Sequence, residues 1–214
     1  MKNDRRIPTN DRMIRDAMKA ALVSRHAGAD AVVVEELKTA RGSGRLDLAV
    51  INGRIEGIEI KSDLDTLSRL ERQIGFFGAA ADRMTLVAGE RHLSEATARV
   101  PDWWSLVSAT VSSGGHTILR TVRRGRLNKD QQSEALARLL ERDELVTLLE
   151  GFGLDKGFRT ACYDDLADRA TAALGQKDLA AGVRRLLKRR AELCSRYQTG
   201  AFGKNAVICR GRSG

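Results

Sequence analysis

The stretch RLDLAVINGRIEGIEIKSD, residues 45–63, decides the reading of this chain. Two short apolar runs, 45–51 and 54–62, flank Asn52-Gly53, a pair that signals a two-residue hairpin between strands. On a strand, alternate residues share a face. Leu46, Leu48 and Val50 are thus expected on one face, with Asp47, Ala49 and Ile51 on the other. On the partner strand Ile58 and Ile60 share one face, while Gly57, Glu59 and Lys61 share the opposite one. Asp47 sits among apolar residues, where a carboxylate is costly unless it is paired or holds a metal. A tight hairpin can bring it near Glu59 and Lys61.

Two carboxylates and one ammonium at a sheet end suit Mg²⁺, which keeps several waters and uses one or two carboxylates beside a substrate phosphate. Lys61 would stabilise charge growing on phosphorus and position or activate the attacking water. Either Glu35 or Glu36 could add a ligand, and alternation alone does not decide which. The plain alternative is structural: Glu59 and Lys61 as an ion pair, and Asp47 paired to Arg45 or Lys61.

Outward from this stretch, residues 11–24 carry a helical stripe (Met13, Ile14, Ala17, Met18, Ala21, Leu22) and 30–37 a short strand. Asp63 or Asp65 can cap a following helix whose stripe is Leu67, Leu70, Ile74 and Phe77. RMTLVAG reads as a buried strand, LSEATARV as a short helix ended by Pro101, and DWWSLVSATV and HTILRTV as two more strands. From Lys129 the period turns helical, over about 130–150, 160–174 and 178–195. The expected architecture is α/β: an α-β-β-β-α-β core with a mixed sheet over 1–128, helices over 129–198, and a flexible basic tail over 199–214, where AVIC could add a strand. Residues 1–9 read as a loose arm.

The chain is 214 residues with a net charge of +9. Between Arg184 and Arg212 stand nine Lys or Arg against one acid, Glu192, which leaves the remainder almost neutral. Such a cluster favours a polyanion partner, although a solvated basic face would look the same. Cys162, Cys194 and Cys209 form no CxxC pair, and the three His are scattered, so neither a disulfide framework nor a zinc site is supported. No apolar run reaches membrane-spanning length and no signal peptide opens the chain, which predicts a cytoplasmic protein with no membrane partner. Of the adjacent Trp103 and Trp104, one is expected to close a core edge.

An Asp on the second core strand followed by Glu59-Ile60-Lys61 on the third resembles the PD-(D/E)XK phosphodiesterase superfamily, with its restriction-endonuclease-like fold. The family's Pro is replaced by Leu46. The longer phrasing, from EEL through GSGRLDLAVINGRIEGIEIKSDLDTLSRLERQI to DRMTLVAGERH and VPDWWSL, is similar to a largely uncharacterised bacterial and phage family within it. The resemblance implies a nuclease acting on DNA with Mg²⁺, for which Mn²⁺ can substitute. Its metal ligands would be Asp47, Glu59, the Ile60 backbone carbonyl and Glu36. Lys61 would be the catalytic lysine, and Gln73 would line the mouth of the site, with Phe77 where a Tyr often stands. Independently of the resemblance, Arg69, one turn before Gln73, could contact a phosphate or instead pair with Asp65 on the helix surface, and the run Arg184, Arg185, Lys188, Arg189 and Arg190 could grip a nucleic-acid backbone. A homodimer or a partner protein is compatible with this reading. So is a catalytically silent nucleic-acid-binding or assembly protein on the same fold.

Overall fold

The computed structural model describes residues 7–39, 44–199 and 207–210. The tail expected over 199–214 lies largely outside them, as do residues 1–6 of the arm. Helix α1 (Asp11–Arg25) precedes strands β1 (Val32–Thr39), β2 (Gly44–Ile51) and β3 (Ile55–Lys61). Helix α2 (Leu70–Ala80), β4 (Arg83–Gly89), α3 (Leu93–Arg99), β5 (Ser105–Val111) and β6 (Thr117–Arg123) follow. Helices α4 (Ser133–Ala137), α5 (Arg142–Gly151), α6 (Tyr163–Ala173) and α7 (Gln176–Thr199) lead to β7 (Val207–Arg210). The AVIC segment does add a strand. The single helix expected over 130–150 is two, α4 and α5, joined by a turn over residues 138–141.

The seven strands form one mixed sheet in the order β6-β5-β4-β3-β2-β1-β7. β1, β2 and β3 pair antiparallel, as hairpin neighbours do, whereas β3, β4 and β5 run parallel because α2 and α3 carry the chain back between them. The fold is therefore α/β with a helical C-terminal part. The β2–β3 connection holds three residues, not two: Ile51 pairs with Ile55, and Gly53 sits at a φ of 64°. That left-handed value favours glycine.

Each sheet face is covered. Ile14, Met18 and Leu22 of α1 bury against Val33, Leu48, Val50, Ile58 and Ile60. On the other face Leu70 and Phe77 of α2 join Leu46, Ala49, Ile51 and Ile55 in a cluster that continues through Leu136, Leu148, Leu166 and Leu187 of the C-terminal helices. Sheet and helical part thus share one apolar interior.

This partition corrects the expected alternation. Leu46 belongs with Ala49 and Ile51, not with Leu48 and Val50, so β2 changes face at Asp47. In β1, Val32 and Val34 share a cluster with Leu37, so that strand changes face across Glu35 and Glu36. Glu36 adopts a φ of 57°, a conformation that costs a non-glycine residue about 1–3 kcal/mol. The paired kink frees Asp47 from the flat pleat.

The expected cap also differs. Arg69 occupies the N-cap of α2 without a side-chain bond. The Asp65 carboxylate instead accepts from Ser62 N at 2.7 Å and Ser62 Oγ at 2.6 Å. Asp63 accepts from Thr9 N and Thr9 Oγ1, each at 2.8 Å, and from Arg91 N at 3.0 Å. Thr9 is fully buried. The end of the expected loose arm is therefore tied to the end of β3.

Candidate functional site

Asp47 leaves its strand toward helix α1. Its Oδ1 accepts from Arg15 Nη2 at 2.8 Å, its carbonyl from Arg15 Nη1 at 2.9 Å, and its Oδ2 from the Ile60 backbone N–H at 2.8 Å. Arg15 is also bonded to Asp11, one turn earlier, at 2.9 and 3.0 Å. Burial alone would pull the Arg15 guanidinium down, but Asp11 and Asp47 outweigh it and hold its pKa above the ordinary range. Four residues on, Lys19 meets Glu35 at 2.7 Å. The i, i+4 spacing aligns Asp11, Arg15 and Lys19 on one side of α1, beside the buried stripe of Ile14, Met18 and Leu22.

Glu59 lies opposite, almost wholly buried, on the β3 face toward α2. Its Oε1 accepts from Lys61 Nζ at 2.6 Å and from Gln73 Nε2. Its Oε2 is buried without a hydrogen-bond partner, as is Gln73 Oε1. The Glu59 carboxyl is pushed up to about 7: burial is the largest cause, Asp47's charge adds to it, and Lys61 and Gln73 pull it part of the way back. Lys61 is likewise buried. A lysine and a glutamate without water both need the other.

These groups open onto a cavity of about 870 Å³. Asp47, Glu59, Ile60, Lys61, Gln73 and Arg69 all line it, so the structure brings together six residues that the sequence nominated. The opposite wall is the α4–α5 turn, residues 138–141, with Arg142 at the start of α5 and Tyr163 at the start of α6. The Tyr163 hydroxyl donates to the Leu140 carbonyl at 3.1 Å. Sequence reasoning did not find Arg15, Arg72, Phe76 or Tyr163; for Arg15 the signal was its place four residues after Asp11, bordering an apolar stripe.

Two nominations need correction. Glu36 does not line the cavity; its carboxylate pairs with Arg45 at 3.1 Å, because the left-handed backbone turns the strand at that residue. Phe77 is fully buried in the core, as its place on the α2 stripe predicts, and its neighbour Phe76 is the aromatic that lines the cavity. Within the basic run of α7, Arg190 is held by Glu144 and by the Leu139 carbonyl at 3.0 Å, and Lys188 by Asp30 at 2.6 Å. Arg190 thus fastens α7 to α5 and the turn before it, and Lys188 fastens α7 to the segment before β1. Arg184, Arg185 and Arg189 take no ion pair among the described residues, and Arg185 and Arg189 are exposed. Trp104 is fully buried, and Trp103 is half-buried with its ring edge-on to it at 5.9 Å.

Among the described residues no group of three or more His, Cys, Asp or Glu converges as a metal cage. A cation here would rest on two carboxylates and water. The residues fit that arrangement: the unpartnered Glu59 Oε2 is an acceptor awaiting a donor or a cation, and each Asp47 oxygen has lone-pair capacity beyond its one bond. A hydrated Mg²⁺ uses such a partial set.

Fold and site define a mixed α/β protein with an acid–lysine cluster at the mouth of its sheet, roofed by a helical C-terminal part. The chain belongs to the family described as Bacteriophage P4 protein cII, whose model matches residues 9–207. Protein cII of Enterobacteria phage P4 is 30% identical over 125 residues, covering 58% of this chain and 47% of that protein. The chain thus matches about half the length of this curated relative. The SPO1766 protein of unknown function from Silicibacter pomeroyi aligns over 76% of this chain and 99% of its own at 18% identity, with a TM-score of 0.37. Among the described residues no helix is long and apolar enough to cross a membrane.

Proposed function

We propose that this chain is a Mg²⁺-dependent nuclease of the PD-(D/E)XK type, hydrolysing phosphodiester bonds in DNA in the cytoplasm. The observation that carries the reading is the buried Glu59, bonded to Lys61 and Gln73 with one oxygen unpartnered, facing a cavity it shares with Asp47. Glu59 and Asp47 would hold the ion, for which Mn²⁺ could substitute. When bound, the metal supplies Lewis-acid activation of the phosphate and of a water. The chain's own residues do the rest. Lys61 presents an ammonium to the charge that develops on phosphorus, Gln73 fixes the Glu59 carboxylate, and Arg69 and Arg72 offer guanidinium groups to neighbouring phosphates.

A second reading has its own support. Arg15 already occupies Asp47, and Lys61 already neutralises Glu59, so the cluster is satisfied enough to serve as a structural element of a nucleic-acid-binding or assembly protein. Such a protein could work as a homodimer or with a partner.

Cleavage of circular, linear, single-stranded and branched DNA and of RNA, in Mg²⁺, Mn²⁺ or EDTA, separates the two. The nuclease reading expects metal-dependent cutting that Lys61→Ala lowers by at least ~100-fold. Equal binding with no cutting by either protein supports the second reading.

A further inference from the structure

The cavity bears on which nucleic acid enters. Its volume of about 870 Å³ falls within the ~300–1,000 Å³ typical of pockets that enclose small ligands. A few nucleotides of one strand fit such a space, which is too small to enclose both strands of a duplex with their paired bases.

The lining has the chemistry that single strands use, namely cations along the backbone and aromatic faces for bases. Phe76 of α2 and Tyr163 of α6 both line the cavity and both are part-exposed. Lys38, Arg69 and Arg72 line it as well and take no ion pair among the described residues; Arg69 and Arg72 are exposed. The other charged groups are engaged. Arg138 meets Asp164 at 3.2 Å, and Arg142 donates to the carbonyls of Arg159 and Ala161. Asp11 holds Arg15, Asp65 holds Ser62, and the Glu141 side chain caps α5. The cations left open thus outnumber the acids left open.

We propose that this cavity takes a single polynucleotide strand, with bases against Phe76 and Tyr163 and phosphates on Lys38, Arg69 and Arg72, in preference to an intact duplex. The inference rests on the nucleic-acid reading above and names its substrate class.

The test measures binding, so that it does not depend on cleavage. Fluorescence anisotropy of the full chain in EDTA is recorded with a labelled oligothymidylate, the corresponding oligouridylate and a fully paired hairpin of matched length. The single strands are expected to bind about tenfold or more tighter than the hairpin. Phe76→Leu and Tyr163→Leu should each weaken single-strand binding by about five- to tenfold. Arg120→Ser on β6, away from the cavity, should leave it unchanged. Arg69→Ser/Arg72→Ser removes two exposed side chains, so it tests the proposal even if Phe76→Leu fails to fold; it should lower the salt slope by roughly 1.4. Hairpin binding as tight as single-strand binding, or ring-removing variants without effect, would overturn the proposal and leave the nuclease reading standing. Binding of no nucleic acid in EDTA would overturn the proposal, and the metal-dependent cleavage panel above would then decide the nuclease reading on its own.

Discussion

Arg15 grips Asp47 at two points, the carboxylate at 2.8 Å and the carbonyl at 2.9 Å, so a helix near the start of the chain fixes both the side chain and the backbone of the candidate ligand. Arg15→Ala removes both bonds and leaves a half-buried carboxylate beside Glu59. Bonds to charged groups contribute about 1.5–3 kcal/mol each in favourable cases, and the pair is part-exposed, so a loss of about 2 kcal/mol is expected in urea unfolding. Arg15→Lys should restore less than half, because a point charge cannot reach both acceptors. An unchanged midpoint for Arg15→Ala would show that Asp47 is held by the Ile60 N–H alone.

Acid should loosen the link between Thr9 and β3. Burial raises the Asp63 carboxyl, but the backbone N–H and hydroxyl of Thr9, the Arg91 N–H and the charge of His92 together outweigh it, and the folded-state pKa is lowered. A depressed pKa contributes stability above the unfolded value of ~3.9 and loses it as pH falls through the lower folded value. Asp63→Ala is therefore expected to cost about 1–3 kcal/mol at neutral pH, with the gap to wild type closing only below the usual aspartate range. Urea titrations at several pH values check this; a gap that does not narrow in acid would assign the loss to packing instead.

Two glycines should respond in opposite directions. A Cβ on Gly89 would stand 2.6 Å from the Asp63 backbone N and 2.5 Å from its Oδ1, so backbone must move, and Gly89→Ala should destabilise by about 2 kcal/mol or more. Gly75 lies in the middle of α2 with nothing within 4 Å of such an atom. Gly75→Ala should stabilise by about 0.5–1 kcal/mol through helix propensity. Thermal melts of both variants decide, and a stabilised Gly89→Ala would mean that β4 and Asp63 approach less closely than described.

Within the basic run of α7 the residues should separate. Arg190 is part-buried against Glu144 and the Leu139 carbonyl, and Arg190→Ala is expected to cost about 3 kcal/mol, near the lower end for breaking a buried pair. Arg189 is exposed, and Arg189→Ala should stay within ~0.5 kcal/mol. Unfolding midpoints of the two variants suffice. Equal, small losses would return Arg190 to the list of cations open to a polyanion.

The strands, their order through β3, and the nearness of Asp47, Glu59 and Lys61 were legible because period-two patterning and a hairpin signal fix them locally. The face change at Asp47 was not, since alternation assumes a regular pleat and nothing in RLDLAVI marks a kink. Glu36 was misplaced for the same reason: its left-handed backbone is a tertiary outcome at a residue with no intrinsic preference for it. Arg15 and Lys19 lie 32 and 16 residues from the acids they meet, and helix periodicity says only which side they occupy. The break of 130–150 into two helices was hidden because LARLLERDEL is helical in composition throughout. It is the Glu141–Glu144 capping box that starts α5 anew.

The apolar cluster that runs from α2 through α4, α5, α6 and α7 has a consequence for the opening it surrounds. Leu136, Leu148 and Leu187 lie inside this common interior, outside the cavity lining. Widening the opening by moving these helices away from α2 would separate buried apolar side chains, which is costly. If the cavity takes a single strand, as proposed, its selection by girth would rest on leucines outside the cavity lining.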